Sequence, residues 1–191
     1  MTSDQTQYLI KALIEKGVAF EKGLREDEIE YIQKKFEIVF PPDLKMFLHV
    51  ALPVSKGFVN WRSALSSSDV SGNIFHRMEG PLDGILFDVK HNVFWFDEWG
   101  IAPDTNEEKE KIVREQFKTY PKLIPVCYHR FISSEPNEMN NPIISVHQTD
   151  IIYYGHNLAD YFKHEFHFNL LDDFYIPSEP KAIRFWVDMM N

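Results

Sequence analysis

Three sets of side chains have the types and spacing to do chemistry. The stretch "NPIISVHQTDIIYYG", residues 141–155, sets His147 three residues before Asp150, and an imidazole held by a carboxylate can act as a general base. Cys127 and His129 stand two apart in "KLIPVCYHRFI". Strand alternation puts such residues on one face, the minimum geometry for generating a thiolate nucleophile. His164 and His167 in "KHEFHFN" are three apart on a predicted helix. With a third ligand from His156 or Asp160 they would make a metal site.

Each set has a plainer reading, and the plainer reading is preferred. Asp and Thr populate turns because their side chains bond nearby backbone N–H groups, so His147 to Asp150 reads as a hairpin tip. Free cysteine is among the most buried residue types and behaves as a small apolar group, and Val126 and Tyr128 beside Cys127 look like sheet residues. The histidine pair lacks the His-Glu-x-x-His spacing that binds zinc. No Gly-rich phosphate loop and no Gly-x-Ser-x-Gly elbow occurs. The sequence therefore assigns no catalytic residue, no metal ligand and no cofactor.

The acids point elsewhere. Residues 97–115 hold seven acids (Asp97, Glu98, Asp104, Glu107, Glu108, Glu110, Glu115) against Lys109, Lys111 and Arg114. Several suit i,i+4 pairs on a solvated helix. Asp97 and Glu98 also adjoin Trp99, and an aromatic anchor flanked by carboxylates suits a basic protein surface. Asp97, Glu98 and Trp99 are the candidate partner-binding residues. Trp61, Trp95 and Trp99 suggest a carbohydrate platform less well than they suggest the core and edge of a sheet.

The elements that must position these residues follow from periodicity. Leu9, Ile10, Leu13 and Ile14 predict a first helix, ended at Gly17. "REDEIEYIQKKF" predicts a second, with Ile29, Ile32 and Phe36 inward and acids in the first turn. "PPDLKMFLHVAL" predicts a third, and the stretch from Trp61 to Gly72 a loop with room for one short turn of helix. "GILFDV" and "NVFWF" around "KHN" predict a β-hairpin. Thr105 and Glu108 make a capping-box pattern ahead of a helix carrying Ile112, Val113 and Phe117. One strand is expected over "KLIPVCYHRFI", and one each at Ile143 to His147 and at Ile151 to Tyr154. A helix capped by Asn157 and a last helix around "AIRFWVDMM" complete an α+β reading.

The chain has 191 residues, 44% of them hydrophobic, enough for a substantial core in one domain. Its formal charge of −9 disfavours nucleic acid and anionic membrane, both polyanions, and favours a basic partner. The opening "MTSDQTQYLI" lacks a signal-peptide pattern, no apolar run is long enough for a bilayer, and Cys127 is the single cysteine. A cytoplasmic protein is expected.

"EIEYIQKKFEIVFPPDLKMFL" resembles the opening of the SUKH superfamily, the cell-wall glucan-synthesis regulator family. Phe40, Pro42, Asp43, Leu44, Phe47 and Leu48 stand at its motif places, Phe40 replacing the usual leucine. "GILFDVKHNVFWFDEWG", "PKLIPVCYHRFI" and "NPIISVHQTDIIYYGHNLADYFKHEF" are similar to a bacterial branch of that family. The family's Gly-rich stretch after the motif is absent, with only Gly57 in "VALPVSKGFVNW". The resemblance implies a single α+β domain over 1–191, with a core at about 26–166, an N-terminal helix and a C-terminal helical extension. Its sheet would be central and mainly antiparallel, with helices packed on it. The resemblance further implies a non-enzymatic immunity protein that binds a toxin, such as a nuclease, encoded nearby. The alternatives are a regulatory or scaffolding module in cell-envelope synthesis, or a small hydrolase using Cys127 and His129 or a metal at His164 and His167.

Overall fold

The computed structural model describes residues 1–66 and 70–190. Helix α1 (Ser3–Glu15) starts at a capping box in which the Thr2 hydroxyl accepts from the Gln5 N–H and the Gln5 amide oxygen accepts from the Thr2 N–H. Strand β1 (Phe20–Lys22), α2 (Glu26–Phe36), α3 (Pro42–Val50) and β2 (Ala51–Pro53) follow, with β1 and β2 antiparallel. The motif residues Phe40, Leu44, Phe47 and Leu48 are all buried in this first core. Asp43 is buried too, and its carboxylate accepts from the backbone N–H of Leu44 and of Asn140. That motif is a packing device that ties α3 to the loop before the third strand of the main sheet.

The main sheet is an antiparallel meander of β3 (Leu123–Cys127), β4 (Arg130–Ser133), β5 (Ile143–His147) and β6 (Asp150–Gly155). Alternation splits its side chains between two cores. Ile124, Val126, Ile132 and Ile143 join α1, α2 and α3, together with α6 (Leu158–Phe166). Leu123, Phe131, Ile144, Val146 and Ile151 face the other way, toward α4 (Val70–His91) and α5 (Asn106–Phe117). With both faces covered, the strands read as continuous apolar runs rather than alternating ones.

Three expectations are corrected. "GILFDV" and "NVFWF" are not a hairpin: the first lies in α4 and the second is a loop that ends in a short 3-10 turn at Asp97–Trp99. Buried Ile74, Leu82, Ile85, Leu86 and Val89 of α4 follow a helical period, so burial on one helix face decides the conformation. The stretch from Trp61 to Gly72 contains the short helical turn allowed for it, Trp61–Leu65, which buries Trp61 and Ala64, but it is not loop as far as Gly72. Residues 67–69 of it lie outside the described residues, and α4 begins at Val70.

The C-terminal helical extension is a series of turns, with Phe185 in the left-handed region at φ 68°. Ile183, Phe185, Trp186 and Met189 are buried in the second core, and the Trp186 indole N–H donates to the Pro121 carbonyl at 2.9 Å.

Candidate functional site

The hairpin joining β5 and β6 turns through Gln148 and Thr149, with Gln148 left-handed at φ 58° and His147 paired with Asp150 in register. The tip rests on α4. A Cβ on Gly84 would stand 2.8 Å from the Gln148 Cα, so only glycine allows this approach. One helical turn later Asp88 accepts from the Thr149 N–H at 2.9 Å and the Thr149 hydroxyl at 2.6 Å. Burial opposes ionisation of Asp88 and is the largest single influence. The Thr149 donors, the Asn92 amide and the nearby His147 together outweigh it and hold the carboxyl below its usual range. His147 and Asp150 thus cap a hairpin, and no hydrogen bond joins their side chains among the described residues.

The other chemical candidates come apart. Cys127 ends β3, and the chain then turns through Tyr128 at φ 47°, so Cys127 and His129 do not share a strand face. Burial pushes the Cys127 thiol up to about 11, and burial together with Arg130 and His147 lowers the His129 imidazole. Neither group carries the charge an activated pair needs at neutral pH. His164 pairs with Asp160 at 3.1 Å, while His167 is the left-handed residue that ends α6. Among the described residues no group of three or more His, Cys, Asp and Glu side chains could hold a metal.

What remains is the loop between α4 and α5. The Trp99 ring packs edge-on against Phe94, Trp95 and Phe96, and its N–H donates to the Tyr120 hydroxyl at 2.6 Å. The Trp95 N–H donates to the Gly100 carbonyl at 2.7 Å and closes the loop on itself. Trp99 is therefore buried and serves as the loop's inner post, not as a projecting anchor. Asp97 and Glu98 are exposed beside it. The side chains that project are apolar: Val93 is 91% exposed and Ile101 is 96% exposed. Val93 also sits at φ 58°, a conformation that costs a β-branched residue ~1–3 kcal/mol. Val93, Phe94 and Trp95 form one wall of a depression of about 500 Å³ whose other wall is the hairpin tip from His147 to Asp150.

Sequence reasoning found the acids of this surface and missed its apolar edges. Ile101, in "WGIAPDT", is the signal that was present: a large aliphatic residue in a turn-rich stretch with no strand or helix to bury it. Gly84 and Asp88 gave no signal until α4 was known to be a helix.

No protein-family model, no curated protein and no solved structure matches the chain. No helix of the described residues is long and apolar enough to cross a membrane.

Proposed function

We propose that this chain is a non-enzymatic, cytoplasmic protein-binding domain of SUKH type that acts as an immunity protein. In this reading it neutralises a toxin encoded nearby, such as a nuclease, by covering its basic substrate surface. The observation that carries the binding part is the loop between α4 and α5. It holds Val93 and Ile101 almost fully exposed beside the exposed carboxylates of Asp97 and Glu98, on a frame fixed by Trp99. A loop tied down by the Trp95–Gly100 and Trp99–Tyr120 hydrogen bonds has less conformational entropy to lose on binding, so its apolar edges can contribute affinity while the carboxylates steer a cationic partner. The net charge of −9 adds to that steering. The toxin as partner rests on the resemblance of the three sequence segments to the bacterial SUKH branch.

Co-expression with the toxin-like protein encoded beside this chain, followed by calorimetry, tests the reading. The expected result is a 1:1 complex that protects the toxin's target, weakened by added salt, by Asp97→Lys with Glu98→Lys, and by Val93→Ser with Ile101→Ser. No co-purification and no heat would remove the immunity reading and favour a regulatory module of the cell envelope. Binding that ignores all four substitutions would move the contact to another face.

A further inference from the structure

A second surface carries the opposite sign. Between α2, α4 and the end of α5 lies a depression of about 640 Å³ floored by Phe36, Phe75 and Phe117. Its lining includes four cations, Lys35, Arg114, Lys118 and Lys122, against two carboxylates, Glu37 and Glu79, in a chain whose net charge is −9. A second depression of about 490 Å³ shares Glu37, Lys118, Tyr120 and Lys122 with it and extends it toward Ser134 and Glu135. Phe75 is 45% exposed there. Arg114 pairs with the half-buried Glu110, which Lys90 also holds, whereas Lys122 and Glu37 form a solvent-exposed pair that holds weakly. Lys118 makes no ion pair among the described residues.

The basic groove and the acidic loop are neighbours. Tyr120 lines both depressions, and its hydroxyl accepts from Trp99, the inner post of the loop. Within one chain the two surfaces do not satisfy each other, because Val93 and Ile101 remain open to solvent. We propose that two copies of this chain pair about a two-fold axis, the acidic loop of each entering the basic groove of the other. Adjoining surfaces of opposite sign suit such closure, since one rotation makes both contacts at once. Val93 and Ile101 then meet the phenylalanine floor, and Asp97 and Glu98 meet Lys118 and Lys122. The local attraction opposes the general repulsion between two acidic molecules. This inference does not rest on the toxin reading, because the isolated chain tests it. A partner that takes the loop would compete with the second copy.

Sedimentation velocity over a concentration series reads the pairing as a mass rising from 22.6 kDa toward twice that value. Lys118→Glu with Lys122→Glu makes loop and groove both acidic; Asp97→Lys with Glu98→Lys makes both basic. Each variant alone is expected to stay monomeric with an unchanged circular dichroism spectrum. Their equimolar mixture is expected to dimerise, because every contact in the mixed pair then joins opposite charges. Val93→Ser with Ile101→Ser, at exposed positions, should raise the concentration of half-association by roughly tenfold. A wild-type chain that stays monomeric throughout, a charge variant that still dimerises alone, or a mixture that fails to associate would each overturn the proposal.

Discussion

Asp88 ties the hairpin tip to pH because both polar groups of Thr149 depend on one carboxylate. Its folded-state pKa lies below the ordinary value, so its stabilising contribution is present above the unfolded pKa of about 4 and is lost as pH falls through the folded value. Asp88→Ala leaves the Thr149 N–H and hydroxyl without this acceptor, at a cost of about 1–3 kcal/mol near neutral pH. Urea midpoints for wild type and variant should therefore converge as the medium is acidified below about pH 4; a gap constant with pH would mean that Asp88 acts by packing alone. Cys127 gives a second test at this scale. With its thiol pushed up to about 11, native protein should resist alkylation at about pH 8 and react on unfolding. Fast native alkylation would reopen the nucleophile reading. The plainer choice at His147–Asp150 and at Cys127 was legible in sequence, since turn chemistry and cysteine burial are local preferences. The partner of the hairpin tip was not, because Asp88 lies 61 positions before Thr149.

Helix α4 shows where periodicity gives way. The helices α1, α2, α3, α5 and α6 were legible because their apolar faces recur at helical spacing and their caps are local: Thr105 accepts from the Glu108 N–H, and Asn157 from the Asp160 N–H. In α4, Gly80, Pro81 and Gly84 interrupt the pattern, and the run from Ile85 to Val89, apolar but for Asp88, reads equally as strand. Gly84 belongs to that helix for a tertiary reason, the passage of the hairpin tip. Gly84→Ala decides between the two influences. Helix propensity alone predicts stabilisation of about 1 kcal/mol. The new methyl, however, would lie 2.8 Å from the Gln148 Cα and 3.1 Å from its N, backbone atoms that cannot rotate away. Overpacking of this kind costs ~1–3 kcal/mol. The net expectation is a lower thermal midpoint, and a raised midpoint would show that helix and hairpin separate easily.

The sheet couples two cores, and that sets how the whole molecule should unfold. Neighbouring residues of one strand serve opposite cores, Ile143 the first and Ile144 the second, so neither core can dissolve without loosening strands that complete the other. Periodicity indicated an α+β fold and the resemblance implied a mainly antiparallel sheet, but the sharing appears only once the strand register is known. The C-terminal turns belong to this coupling. Trp186 fills the second core against Phe117 and Phe185, and its N–H is satisfied by the Pro121 carbonyl just before β3. Trp186→Ala should cost about 3–5 kcal/mol through the lost contacts and the cavity, a large share of the ~5–15 kcal/mol that holds a typical domain together. Trp61 sits in the first core and can report on it separately. In a chain carrying Trp95→Phe, Trp99→Phe and Trp186→Phe, Trp61 fluorescence should lose its native signal at the same denaturant concentration as the far-ultraviolet circular dichroism. Exchanging Trp186→Phe for Trp186→Ala in that chain should move both transitions down together. A Trp61 transition left in place while the dichroism shifts would mean that the two cores unfold as separate units, with the C-terminal turns stabilising only their own.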